Sequence, residues 1–176
     1  MPRRLRVSRG RAAAAGAVAT LVWAAVEPLD RRLVRHDYSD VAVLGKAVTR
    51  SSHWRAAGIG LHMLNGAAFG VAYAELNRRR RVSGVRLALA EHAALFPLGH
   101  LVDRFHPSGG EAGVAKLFSA RAFVQATARH ALFGAVLERL ASDQAGRRPR
   151  IPTRRQGPGG PGNDRNRPRQ KMPPAA

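Results

Sequence analysis

Residues 56–74 read AAGIGLHMLNGAAFGVAYA, nineteen consecutive residues without a charged side chain. As a helix rising 1.5 Å per residue, such a run is about 28 Å long, close to the ~30 Å hydrocarbon core of a bilayer. Trp54 and Arg55 precede it, and Tyr73, Glu75 and the arginine block 78–81 close it. Both ends therefore carry the side chains that settle at a membrane interface. The stretch reads as a membrane span, and it sets the fold class: an all-α, polytopic membrane helical bundle.

Three further apolar runs flank it. Residues 12–29 begin with AAAAGAVATLVWAAV and lie between the basic residues 1–11 and the sequence EPLDRR. A signal peptide has the same outline, but the run lacks a clean small-x-small cleavage site, which favours a retained span. Residues 82–102 carry only Arg86 and Glu91 as formal charges. Residues 112–140 are interrupted by Lys116, Arg121 and Arg129. An arginine near a helix centre costs about 2.5–3.5 kcal/mol on insertion scales. This fourth segment needs helical partners to stay in a bilayer, or it begins as an interfacial helix and dips inward after Arg121. The expected organisation is a basic cytoplasmic N-terminus (1–11), a transmembrane domain (12–140) with spans near 12–29, 54–76, 82–102 and 112–140, and a tail (141–176).

The net charge of +19 is unevenly distributed. Arginines crowd residues 3–11, the block 78–81 and the stretch after Arg139, whereas the turn between the third and fourth runs has a single arginine. The positive-inside rule then places both termini in the cytoplasm of a multi-pass protein of the cell membrane. Residues 30–55 resist this arrangement, because they put six basic side chains on the outer side. The tail is dominated by Pro, Gly and Arg. It cannot bury a core, so it is expected to be disordered and to touch anionic lipid headgroups. Specific nucleic-acid recognition is not expected, since no folded reader motif accompanies the charge. There is no cysteine, which excludes disulfides and thiol catalysis.

The polar residues inside the apolar runs are the candidate site. On a helix, Gly58, His62, Asn65, Gly66, Phe69 and Tyr73 share an arc of about 100°, with Gly70 just beyond. Gly66 and Gly70 form a G-x-x-x-G pair suited to close helix packing. In the third run, His92, His100, Asp103 and His106 share about 120°, with Glu91 set off by 100° from His92. Pro97 should bend this helix. His100, Asp103 and His106 read better as a solvated helix end than as metal ligands, because Pro107, Gly109 and Gly110 follow. In the fourth run Thr127, His130, Gly134 and Glu138 share about 80°. The depths of these residues predict an intramembrane polar cluster of His62, Asn65, Glu91, His92, Arg129 and His130. Arg129 or Arg121 is expected as counter-charge to Glu91, with Gly66, Gly70 and Gly134 as packing positions.

The segments GLHMLNGAAFGVAYAEL, LAEHAALFPLGHLVDRFHP and RHALFGAVLERL, which fall within residues 54–140, resemble a group of small, uncharacterised integral membrane proteins of actinobacteria. The resemblance implies a multi-span helical membrane protein with these polar positions, and it implies no activity. The expectation is a non-enzymatic accessory or structural membrane protein without a cofactor. Its partners are the bilayer, anionic headgroups and, through the glycine faces, a second copy or another membrane protein. The alternative is a His/Glu site inside the membrane that moves protons or ions, or binds a metal or haem.

Overall fold

The computed structural model describes residues 7–146. These form α1 (Arg9–Val34), α2 (Asp40–Val48), α3 (Trp54–Arg79), α4 (Gly84–Leu95), a 3-10 turn (Phe96–Leu98), α5 (Gly99–Phe105) and α6 (Ala120–Gly146). No strand occurs among the described residues, and Tyr38 and Val114 make an isolated antiparallel bridge. The regular structure of the described residues is all helical. The expected tail falls mostly outside the described residues, as do residues 1–6.

Local chemistry accounts for most helix boundaries. Ser8 starts α1 by accepting a hydrogen bond from the Arg11 amide, and Ser39 starts α2 by accepting one from Ala42. Ser119 does the same for α6, accepting from Ala122 at 3.2 Å. Each oxygen satisfies a donor that the first helical turn leaves unpaired. At the start of α4 the cap comes from a distant residue, because Glu138 of α6 accepts from Ser83 Oγ and from the Gly84 amide at 2.8 Å.

Glycine sets the packing distances. A methyl group added at Gly16 would fall on the Gly66 carbonyl oxygen, and one at Gly70 on the Ala12 carbonyl. The α1 and α3 backbones thus touch along a stripe where no side chain intervenes. Gly45 and Gly58 bring α2 and α3 together in the same way, and Gly84 and Gly134 join α4 to α6. The core between them holds Ala15, Ala19, Trp23, Tyr73, Ala88, Phe133, Leu137 and Ala141.

The packed pairs are α1 with α3, α1 with α6, α4 with α6, and α2 with α3. The four long segments therefore lie in the order α3–α1–α6–α4. α3 and α4 stand on opposite flanks of the central pair and share no packed interface. Residues 35–53 and 106–119 meet at one end of the bundle and form a cap. Ser39 donates to Gly113 O, Ala115 to Asp37 O, His106 Nε2 to Val43 O and Arg50 to Pro107 O. Lys46 pairs with Glu111 at 2.9 Å and Arg31 with Asp37.

Several boundaries depart from the sequence reading. α1 continues through Pro28 to Val34, so Glu27 and Asp30 lie inside a helix. The third run is broken at Phe96–Leu98, beside Pro97. α6 begins at Ala120, and residues 112–119 belong to the cap because Gly113 takes φ +81° and Asp103 holds the Leu117 and Phe118 amides. Asp103 and His106 are thus structural staples and not a solvated exit. Of the six basic residues in 30–55, Arg31, Lys46 and Arg50 bond to residues of the cap. Among the described residues, α1 is the one helix long and apolar enough to cross a membrane by length and composition, properties that core helices and signal sequences share. α3, which carries the longest uncharged run, falls short by that test.

Candidate functional site

Two adjoining polar assemblies occupy the interior. The first centres on Arg129, whose side chain is 1% exposed. It donates to both Asp30 oxygens, to Asp40 Oδ2 at 2.9 Å and to Tyr38 O at 3.0 Å, and Glu27 lies 3.6 Å away. Glu27 and Asp30 reach it from one face of α1, Asp40 from the start of α2, and Arg129 from α6. Glu27 also accepts from Ser39 Oγ and from the Asp40 amide, while Gln125 donates to Asp30 at 2.6 Å. Three carboxylates surround a single guanidinium, whose planar set of donors suits several acceptors at once.

Asp40 links this network to the second assembly. It accepts from the Tyr38 hydroxyl and, at 3.0 Å, from Trp23 Nε1. Burial pushes the Tyr38 phenol well above its usual range, and the adjacent Asp40 charge adds to the shift, so the phenol remains a neutral donor. Burial alone would raise Asp40 as well. Interaction with the adjoining His62 and with the Arg129 guanidinium, together with the Tyr38 hydrogen bond, outweighs it, and Asp40 sits below its ordinary value.

The second assembly is a chain of rings. His62 meets Trp23 edge-on at 5.2 Å, Trp23 meets His130 at 4.7 Å, and His130 stacks on His92 at 4.7 Å. The hydrogen bonds define the neutral tautomers. His130 Nδ1 donates to Ala126 O at 2.7 Å, which leaves Nε2 with its lone pair. The single Thr127 hydroxyl proton goes to Phe123 O, so His92 Nε2 donates to Thr127 and Nδ1 keeps its lone pair. His62 is 6% exposed, and its Nε2 is buried without a hydrogen-bond partner. A buried polar atom of this kind is costly unless something occupies the space beside it.

These rings border a cavity of about 250 Å³. Trp23, His130 and Phe133 come from the central helices, His62, Asn65 and Phe69 from α3, and Glu91, His92 and Leu95 from α4. The wall is mostly apolar and aromatic, with a few polar atoms, as in small-molecule sites generally.

The structure places His62, Asn65, Glu91, His92 and His130 around this one cavity. Asn65 is exposed and Glu91 half-buried. Arg129 belongs to the adjoining network, and the expected ion pair with Glu91 is absent because its donors are committed to Asp30, Asp40 and Tyr38. Arg121 is exposed at the start of α6 and does not replace it. Trp23, Glu27, Asp30, Tyr38, Asp40 and Gln125 are functional neighbours that the sequence reading missed. One signal was present: Glu27 and Asp30 stand three residues apart, a spacing that puts both carboxylates on one helical face. Among the described residues no group of three His, Asp or Glu side chains is placed to hold a metal ion. No protein-family model, curated protein or solved structure matches the chain.

Proposed function

We propose that this chain is a multi-pass membrane protein of the cell membrane, both termini cytoplasmic, whose four helical passes enclose a binding cavity for a small ligand. The observation that carries this reading is a set of polar side chains buried beside the apolar core while large apolar side chains face outward. Arg129, His62, His92, Gln125, Glu27 and Thr20 are buried, while Leu21 of α1, Leu64 of α3, Leu95 and Leu101 of the α4–α5 unit and Val124 of α6 are exposed. Water would favour the opposite arrangement; a bilayer favours this one, because ionisable groups in a membrane turn inward and apolar side chains face lipid. The passes are α1, α3, the bent α4–α5 unit and α6. Arg9, the arginines at 78–81 and Arg139 then share one end, and the cap, with Arg35, Lys46, Arg50 and Lys116 of its own, forms the other; the positive-inside assignment rests on the further arginines of the sequence at 3–6 and after 139.

The cavity and the unpartnered His62 support ligand binding over a purely mechanical interior, since a packed polar core would fill the space and pair the imidazole. A structural accessory role is the second reading, favoured by the glycine-to-carbonyl contacts that bind α1 to α3 and α4 to α6. Carbonate extraction followed by organic extraction and mass analysis of the detergent-purified protein distinguishes these cases. The membrane reading expects the chain to stay in the pellet, and ligand binding expects a stoichiometric small molecule in the extract. Release of the chain by carbonate contradicts the first, and a clean extract returns the assignment to the structural role.

A further inference from the structure

The cavity is closed at the ends of the bundle and open at its side. Towards the cap it is covered by Tyr38, Val43, Leu44 and Leu117, held by the staples between α2 and residues 106–119. Towards the other end lie Phe133, Tyr73 and Leu137 of the core and the Glu138 cap on α4. Between α3 and α4 no packed interface covers the cavity, and there Asn65 and Glu91 stand on its walls. Leu64, next to Asn65 in sequence, and Leu95, itself on the cavity wall, are exposed. A ligand entering by this route comes from the apolar surroundings of the helices and not from water at either end.

Its chemistry follows from the walls. Trp23, Phe69, Phe96 and Phe133 offer ring faces and edges, which favour a planar ring. His92 Nδ1 and His130 Nε2 carry lone pairs that accept a hydroxyl proton, and His62 Nε2 is free to donate or to accept. A group that alternates between ring hydroxyl and ring carbonyl finds an acceptor or a donor in either form. A cavity of about 250 Å³ has room for a substituted six-membered ring. Resting on the ligand-binding reading above, we infer that the cavity takes the ring headgroup of a lipid-soluble quinone or quinol, with the apolar tail leaving between α3 and α4.

The protein carries its own reporter. Trp23 lies on the cavity wall, and the other tryptophan, Trp54, sits beside Lys46 and Arg55 at the cap. Full-length protein with Trp54→Phe, purified in detergent, is titrated with decylubiquinone and its quinol while Trp23 fluorescence is followed, with squalene as a headgroup-free control. Saturable quenching by decylubiquinone and none by squalene is the expected result. His62→Leu should weaken binding about tenfold, the equivalent of one hydrogen bond of ~1.4 kcal/mol. Asn65→Phe, at an exposed position on the cavity wall, should block the entrance at an unchanged melting temperature. Linear, unsaturable quenching that is the same in both variants overturns the inference. If decylubiquinone fails to bind but another molecule co-purifies and is displaced by Asn65→Phe, the quinone assignment falls and the ligand-binding reading stands. Disulfide cross-linking of Asn65→Cys between two copies, with no quenching, assigns the flank to a dimer and also overturns the proposal.

Discussion

Replacing Arg129 by methionine removes one guanidinium and leaves Glu27, Asp30 and Asp40 gathered without a counter-charge. Four hydrogen bonds disappear, two of them to Asp30 and one each to Asp40 and the Tyr38 carbonyl. Breaking a buried ion pair from one side costs about 3–5 kcal/mol, because the stranded charge keeps its desolvation penalty. At about 2–4 °C per kcal/mol for a chain of this size, the melting temperature should fall by roughly 6–20 °C. Circular dichroism of detergent-solubilised protein under heating and denaturant measures it. Most of the loss comes from uncompensated carboxylates and not from missing packing volume. Adding Asp30→Asn and Asp40→Asn to Arg129→Met should therefore recover at least half of it. Arg129→Lys, which keeps the charge but not the forked geometry, should fall between wild type and Met. A loss below about 1 kcal/mol for Arg129→Met, or a triple variant no more stable than the single one, would refute this account of the network.

Other consequences are equally direct. Gly16→Ala should destabilise by about 1–3 kcal/mol, since its methyl meets the Gly66 carbonyl, whereas Gly60→Ala, with open space around it, should stabilise by up to about 1 kcal/mol; thermal melts of the two variants check the pair. His106→Ala should speed proteolysis within residues 106–119 more than it lowers the melting temperature, because it frees the Ser108 amide and the Val43 carbonyl in the cap alone. Burial raises the Asp37 carboxyl, but the Gly113 amide and Arg31 outweigh it and hold Asp37 below its ordinary value. A lowered folded-state value means that Asp37 stabilises the cap above its unfolded value of about 3.9 and loses that contribution as the pH falls through the folded one. The protection of the cap amides, taken relative to their intrinsic exchange rate at each pH, should therefore fall below about pH 4 in the wild type and show a smaller acid dependence in Asp37→Asn.

The long helices were legible because their signals are local. The uncharged run 56–74 lies within α3 (Trp54–Arg79), and Pro97 marks the break in the third run. The face carrying His62, Gly66 and Tyr73 is buried as helical periodicity requires. The cap was not legible, since its backbone bonds join residues 37–39 to 113–115, and neither segment alone has a periodic pattern. The partner of Arg129 was misassigned for a related reason. Glu91 lay at mid-span in its apolar run, whereas Glu27 lay near the end of the first span (12–29) and Asp30 just past it in the following loop. That α1 continues through Pro28 depends on packing against α3 and α6 and on the Arg129 network, neither of which a single segment encodes.

The membrane arrangement itself is tested most directly by single cysteines, which the native chain lacks. Val48→Cys lies at the exposed end of α2 in the cap, and Arg79→Cys at the exposed end of α3. Each is treated with a membrane-impermeant maleimide in intact spheroplasts and in inverted vesicles. Val48→Cys should react in spheroplasts and be protected in inverted vesicles, and Arg79→Cys should do the reverse. Labelling of both from the same side, or recovery of both labelled chains in the soluble fraction, would contradict a bundle that crosses the membrane between its cap and its arginine-rich end.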